Sequence, residues 1–507
     1  MVSSTDKRVV PVPTNGVNSW GLGDGQAIPW EYAPAPEARD LVTLKERYGL
    51  FINGRSMAAI GGATFTTVDP ATELPLAKVA RATTADVDKA VRAARRAQSR
   101  SWGQLPGKER AKYLFRISRI LQERSREFAV LESMDLGQAD QGEPRRRRAA
   151  RGEPLLVLRG LGGQAGLRVP GSGSPAARRR RPDHPLELPA PDAGLEDRPG
   201  PRRRQHRRPQ ARLDDAALGA PVRGRLRPGG PAARHGQHRH RPGRDRDGPR
   251  HPQGRGQGRL HGIHGDRSQD RPGVAGTDKA LTLELGGKAA NIVFDDAPLD
   301  QAIEGIVNGI YFNQGEVCCA GSRLLVQESI AEPLIDKLKD RLATIRVGDP
   351  LDKNTDVGAI NSKSQLDKIT ELVQSGIDEG ADIYQPACDL PDRGYFFRPT
   401  LFTNVAQSHR IAREEIFGPV LSVLTFRTPE EAIEKANNTV YGLSAGVWTD
   451  KGSRILEMVS RLKAGVVWAN TFNRFDPTSP FGGYKDSGFG REGGMHGLHA
   501  YVRLEDR

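Results

Sequence analysis

The sequence predicts an α/β protein with parallel sheets on both sides of an unusual central stretch. Three observations carry this. Short apolar runs alternate with segments whose apolar residues recur every three or four positions. The alternation stops near Gly137 and resumes after residue 275. The stretch between has no aromatic side chain to anchor a core. No repeat at a period of about 20–50 residues accompanies them, which excludes a solenoid.

The elements follow in order. FINGRSM at residues 51–57 sets Asn53 and Gly54 between apolar stretches, the chemistry of a two-residue hairpin turn, and residues 65–68 form a strand running into Asp69-Pro70. Thr84 is placed to cap a helix with Asp86 and Asp88 in its first turn and Val87, Ala90, Val91 and Ala94 on its apolar face. Leu114, Ile117, Leu121, Phe128 and Leu131 predict one longer helix ending near Gly137. Beyond the central stretch, residues 291–294 read as a strand; Ala302, Ile303, Ile306, Val307 and Ile310 mark one helix face, and Ile369, Leu372, Val373 and Ile377 another.

At 507 residues the chain has room for about three domains. Its +14 net charge is local: residues 141–270 hold 30 Arg, no Lys and 13 acidic residues, a balance of +17, so the remainder sums to −3. The same stretch holds eight of the 11 His and one Ile, Ile263. Three cysteines, Cys318, Cys319 and Cys388, make no disulfide framework and point to a reducing, cytoplasmic compartment. The opening MVSSTDKRVVPVP lacks the apolar region of a signal peptide, and no apolar run approaches the roughly 18 residues that span a bilayer. The first forty or so residues, rich in Pro and Gly, read as an arm without chemistry of its own.

Two readings compete for the Arg-rich stretch. As a basic insert it would bind phosphates with strong salt dependence, but it lacks the interleaved aromatics and shared Lys of single-strand binders. As an out-of-frame translation of a GC-rich gene it would be dominated by Arg, Pro, Gly and Ala, as it is. Back-translation with GC-leaning codons supports the second. In the adjacent frame, residues 258–264 (GRLHGIH) read VAFTGS, residues 184–189 (HPLELP) read IPWNFP, and residues 205–212 (QHRRPQAR) read NTVVLKPA. The slip runs from about 138 to 272. Two decoys fall with it: Gly160, Gly162 and Ala165 imitate a dinucleotide loop without a preceding strand or following helix, and His235, His238 and His240 have ligand-like spacing without Cys or carboxylate partners, so no metal site is expected.

The catalytic motifs lie downstream. LELGGK at 283–288 and NQGEVCCAGSR at 313–323, followed by EEIFGPV at 414–420 and PFGGYKDSGFGRE at 480–492, together resemble the aldehyde dehydrogenase superfamily. The residues from about 48 to 136 are also similar to it, and the peptides PWNFP, VVLKPA and FTGS match its nucleotide-domain blocks. The chemistry can be argued alongside. A thiolate is the nucleophile that a carbonyl needs, and Cys318 lies in the G-[QE]-x-C pattern as Gly315-Glu316-Val317-Cys318. Glu284 suits a general base that activates water, and Gly286 and Gly287 permit close backbone approach to a ring.

The resemblance implies an aldehyde-dehydrogenase-like fold: a nucleotide-binding Rossmann-type domain begun by residues 46–137 and ended by 273–286, a catalytic α/β domain over 287–485, and an oligomerisation element over 486–507, with 138–272 disordered or misfolded as translated. It implies oxidation of an aldehyde to a carboxylic acid with NAD or NADP, through a thiohemiacetal and a thioester on Cys318 hydrolysed with Glu284 as base. The oxyanion would be held by the Cys318 backbone N–H and a side-chain amide. Glu415 would accept hydrogen bonds from the nicotinamide-side ribose, with Phe417 beside the ring. Trp468, Asn470, Phe472 and Phe475 would line or border the aldehyde entrance, while Lys485 and Glu492 tie the site wall to the C-terminal strand. Cys319 packs, and Cys388 has no assigned chemistry. The partners implied are a small aldehyde and copies of the chain in a dimer or tetramer, with neither membrane nor nucleic acid. As translated, the chain lacks the Asn of PWNFP and the Lys of LKPA, whose codons overlap Glu187/Leu188 and Gln210/Ala211, so the literal polypeptide is expected to be inactive. The alternatives are a CoA-acylating enzyme, which the retained Glu284 opposes, and a basic nucleic-acid-binding protein.

Overall fold

The structure, a computed structural model, describes residues 35–139, 258–260 and 279–502. The arm before residue 35, the dinucleotide-loop decoy and the histidine trio lie outside the described residues, as does most of the Arg-rich stretch.

The first part holds β1 (Arg47–Tyr48), β2 (Leu50–Ile52), β3 (Arg55–Met57), β4 (Thr64–Asp69) and β5 (Leu74–Ala80). β2 and β3 form the expected hairpin, with Asn53 at φ 53° and Gly54 at φ 75°, the two left-handed residues its turn requires. β4 pairs antiparallel with β5, and β1 runs parallel to β5.

Three helices follow: α1 (Thr84–Arg100), α2 (Gly107–Glu123) and α3 (Ser125–Leu136). The cap of α1 is Thr83, one residue earlier than expected; its hydroxyl accepts from Asp86 N–H while the Asp86 carboxylate accepts from Thr83 N–H, a reciprocal box that only position 83 can close. The stripe that α1 buries is Asp86 and Ala93 rather than Ala94, because the capping carboxylate is itself drawn inward onto Ile60 N–H. The single long helix is two, broken at Arg124 (φ −98°, ψ 14°), whose side chain turns to pair with Glu127. Gly137 ends α3 in the left-handed conformation, where a Cβ would meet Ala359 O at 2.2 Å.

The remainder adds β6 (Gly258–Leu260), β7 (Leu281–Glu284), β8 (Ala290–Val293), α4 (Leu299–Ile310), β9 (Arg323–Gln327), α5 (Ala331–Ala343), α6 (Lys363–Asp378), β10 (Asp382–Tyr384), β11 (Thr400–Thr403), α7 (Arg410–Arg413), β12 (Val420–Phe426), α8 (Pro429–Asn437), β13 (Ser444–Trp448), α9 (Gly452–Arg461), β14 (Val466–Ala469), β15 (Gly488–Phe489) and α10 (Gly494–His499). Seven strands join in the order β10-β11-β12-β9-β8-β13-β14, parallel except for β10 against β11. Strands β8 and β13 are buried along their whole length, as expected for a parallel sheet covered on both faces. The expected face of α4 is buried throughout, and Gly305 lets that helix approach so closely that a Cβ there would lie 2.1 Å from the Trp448 ring. On α6, Ile377 is exposed and Gly376 takes its place against Ile411 and Phe402, so the stripe shifts by one residue at its end. A separate three-stranded sheet runs β15-β7-β6. Its β6 lies inside the stretch expected to lack structure, and Gly258 pairs in parallel register with Leu281.

Candidate active site

LELGGK occupies the end of β7 and the loop that leads into β8. Its position is set from the C-terminus: Gly488 pairs with Glu284, Ser487 O accepts from Leu285 N–H, and Ser487 Oγ donates to Gly286 O at 2.7 Å. Glu284 is therefore held by backbone on a strand and buried at 8% exposure. The two glycines leave room that other parts of the site enter. A Cβ on Gly286 would fall 2.0 Å from Glu415 Oε2, and one on Gly287 would fall 2.6 Å from the Cys318 carbonyl oxygen. Gly287 N–H also donates to Glu415 Oε1 at 2.9 Å. The segments carrying three of the four expected site residues thus converge on the Gly286-Gly287 pair.

Cys318 follows a tight backbone turn. Asn313 (φ 53°), Gln314 (φ 54°) and Gly315 (φ 74°) are three consecutive left-handed residues, a conformation that costs about 1–2 kcal/mol for each non-glycine. The turn is braced by Asn313 Nδ2 donating to Glu316 O and Gln314 Nε2 donating to Ala359 O. It also abuts the EEIFGPV loop, since a Cβ on Gly315 would lie 2.1 Å from Gly418 O. Phe417, in that loop, has φ 58°, and Gln365 Nε2 bonds its carbonyl and that of Ile416. Cys318 is partly buried, whereas Cys319 is 1% exposed with its Sγ 3.6 Å from Asn473 Oδ1, so the two adjacent thiols face different surroundings. Cys388 is partly buried, and its carbonyl accepts from Arg398 Nε.

The aromatic wall is corrected. Phe472 is 2% exposed and wedged against Gly309, Gly321 and Gly446, and Trp468 is 7% exposed with its indole N–H on Arg474 O, so both belong to the core rather than to an entrance. Asn470 is spent on Thr449, exchanging bonds with its N–H and C=O. Phe475 packs edge-on to Trp468 and Phe481. Lys485 Nζ donates to Asn437 O and Thr439 O, and Glu492 bridges to Phe481.

Two groups were not singled out from the sequence. Glu316, two residues before Cys318, has its carboxyl pushed up to about 8 by burial, against the opposing pull of Asn361 N–H and the Gln314 amide. Lys288, the last residue of LELGGK, is 1% exposed, and burial, reinforced by Arg323, lowers its amine to about 7 against attraction from Glu415. The signal for Lys288 was present: a lysine followed at once by AANIVF, an apolar strand, has little chance of reaching water.

The profile of the aldehyde dehydrogenase family matches residues 58–145 and 272–506. The chain belongs to the aldehyde dehydrogenase family. An aldehyde dehydrogenase of Enchytraeus buchholzi is 34% identical over 482 residues, covering 90% of this chain and 94% of that protein. Human retinal dehydrogenase 2 is 47% identical over 227 residues, which is only 45% of this chain and 44% of that protein. Among solved structures, an NAD+ complex of an aldehyde dehydrogenase from Bacillus cereus superimposes with a TM-score of 0.67 at 28% identity, covering 91% of this chain and 96% of that one. The family match breaks off at 145, just inside the Arg-rich stretch, and resumes at 272, beyond its end. Among the described residues no helix is long and apolar enough to cross a membrane, and no group of His, Cys, Asp and Glu could hold a metal ion.

Proposed function

We propose that the site oxidises an aldehyde to a carboxylic acid, with Cys318 as nucleophile and Glu284 as general base. The observation that carries this is the convergence of the Glu284 strand, the Cys318 turn and the Glu415 carboxylate on two glycines. The Cys318 thiolate attacks the carbonyl carbon to give a thiohemiacetal, and the backbone N–H of Cys318 donates to the oxyanion that forms. Loss of hydride from that carbon leaves a thioester. Glu284 then takes a proton from water, which attacks the thioester, expels the thiol and releases the acid. A thioester-to-CoA transfer is the competing outcome, and a buried carboxylate on β7 favours water.

A nicotinamide cofactor supplies the hydride acceptor when bound. The residues present fit its nicotinamide end: Glu415 offers acceptor oxygens at the Gly286-Gly287 pair, and the partly buried Phe417 lies two residues on in the same loop. The NAD+ complex of the Bacillus cereus protein supports NAD. NADP is the alternative, since the residues that would read the ribose 2′ position fall in the Arg-rich stretch.

The literal chain is inactive on this reading. Its residues 138–272 are a frame-shifted copy of the nucleotide-binding segment, which the interrupted family match supports. The exposure of Tyr113, Ile117 and Ile120 at spacings of four and three on α2 supports it too, as the face that the missing segment would cover. The corrected product is an oligomer, in keeping with such enzymes. The test is to express the literal chain and one re-read in the adjacent frame over 138–272, and to follow NADH at 340 nm with short-chain aldehydes. The restored chain turns over and the literal one does not; equal activity would end the frame-slip reading.

A further inference from the structure

Behind the LELGGK loop lies a cavity of about 20 Å3 at the N-terminal ends of β8, β9, β13 and β14, walled by Lys288, Arg323, Thr439, Tyr441, Ser444 and Lys463 with backbone between. Three of its lining side chains are cationic and none is a carboxylate. Lys288 Nζ has no hydrogen-bond partner among the described residues. The backbone carbonyls around the pocket already accept from other groups. Lys288 O, Lys435 O and Ala436 O accept from Arg323, Asn437 O and Thr439 O accept from Lys485 Nζ, and Cys319 O accepts from Ser444 Oγ. A buried ammonium without a partner costs several kcal/mol, so the wall lacks one thing, a negative charge.

Size selects the class of ligand. The pocket is partly open to solvent at Lys463, and its inner space of about 20 Å3 fits one water-sized occupant, which suits a monatomic anion. We propose that the cavity is a halide site, filled by chloride in ordinary salt, with Lys288 Nζ as the central donor and the Arg323 guanidinium and Thr439 hydroxyl in the same wall. Thr439 Oγ1 already accepts from Tyr441 N–H, which leaves its O–H to donate. The ion holds Lys288 as the ammonium and clamps the start of β8 to the 436–444 loop, stiffening the segment that carries Glu284 four residues upstream.

Binding is coupled to protonation. Burial and Arg323 lower the Lys288 amine to about 7, so halide binds below that pH and is released above it. The other charges acting on Lys288 are Lys368, Glu414 and Glu415; Glu415 is held on Gly287 N–H and Glu414 on Arg410. The Tyr441 hydroxyl, raised to about 12 by burial, stays neutral throughout.

The experiment uses the full chain. Crystals soaked in sodium bromide are measured at the bromine edge, and chloride NMR line broadening is titrated in parent, Lys288→Met and Thr439→Val at pH 6 and pH 9. The expected result is a bromine peak at Lys288 Nζ, with saturable broadening at pH 6 that fades at pH 9 and weakens about a hundredfold in Lys288→Met. Equal broadening in parent and Lys288→Met, or density at Nζ without a bromine signal, overturns the proposal. Should Lys288→Met not fold, the bromine map of the parent and the Thr439→Val titration decide.

Discussion

Replacing Gly315 with alanine tests the geometry that presents the nucleophile. The new methyl lies 2.1 Å from Gly418 O, 2.3 Å from Gly418 C and 2.9 Å from Pro419 N, all backbone. That backbone cannot retreat, because Gly418 is itself pressed against Ile369, whose Cδ1 would be 2.5 Å from a Cβ there. The left-handed conformation at φ 74° adds about 1–2 kcal/mol for a residue with a side chain, and overpacking adds about 1–3 kcal/mol, so the cost is about 2–5 kcal/mol. At about 2–4 °C per kcal/mol for a domain of this size, thermal unfolding of Gly315→Ala comes about 4–20 °C lower. Because the same turn carries Cys318, iodoacetamide labelling of that thiol, read by peptide mass spectrometry, also changes rate. A variant with parental midpoint and parental labelling would refute the claim that the turn is locked against the 417–419 loop.

Three further outcomes are expected. A fall of the Lys288 amine from its ordinary 10.5 to about 7 costs about 4–5 kcal/mol at about 1.36 kcal/mol per pH unit. The unfolded chain binds the extra proton between those values, so in halide-free buffer parental stability rises with pH over that window; Lys288→Met loses this slope in urea titrations at pH 6 and pH 9, and an unchanged slope would show that Lys288 is solvated. The Glu316 carboxyl is raised to about 8, so the folded state holds a proton that the unfolded chain releases above about 4.5, and this group lowers stability progressively from there to pH 8; Glu316→Gln removes that part of the pH dependence, measured the same way. In the frame-restored chain, Glu284→Gln still forms the thioester but hydrolyses it slowly, so a burst of about one NADH per subunit precedes a steady rate lowered about 10²–10⁴-fold; loss of the burst itself would assign Glu284 to an earlier step.

Much of the fold was legible because its apolar periods were long. The strand β8, buried along its whole length, and the face of α4 read directly from residues 290–310, where aliphatic residues fill the strand and recur at helical spacing between the polar residues of the helix. The errors fall where a polar group decided the outcome. Thr83 displaced Thr84 because a reciprocal cap needs the carboxylate three residues on, and the α2/α3 break at Arg124 left no mark in a continuing apolar spacing. In the site, the motifs located Glu284, Cys318, Glu415 and Phe417, but spacing along the chain said nothing of how they meet. That depends on Gly286 and Gly287 admitting Glu415 and the Cys318 carbonyl, and on Ser487 anchoring the loop from two hundred residues away. The aromatic residues at 468 and 472 misled because a large ring near a site motif fills a core gap as readily as it lines an opening.

The most direct measurement is on the frame-restored chain with serine at position 318. Incubation with aldehyde and cofactor is followed by NADH formation and, after rapid acid quench, by intact mass. The Cys318→Ser chain forms NADH at least about a thousandfold more slowly than the restored parent and carries no acyl adduct, whereas the parent does. Oxidation at the parental rate without the sulfur would contradict the account at its root.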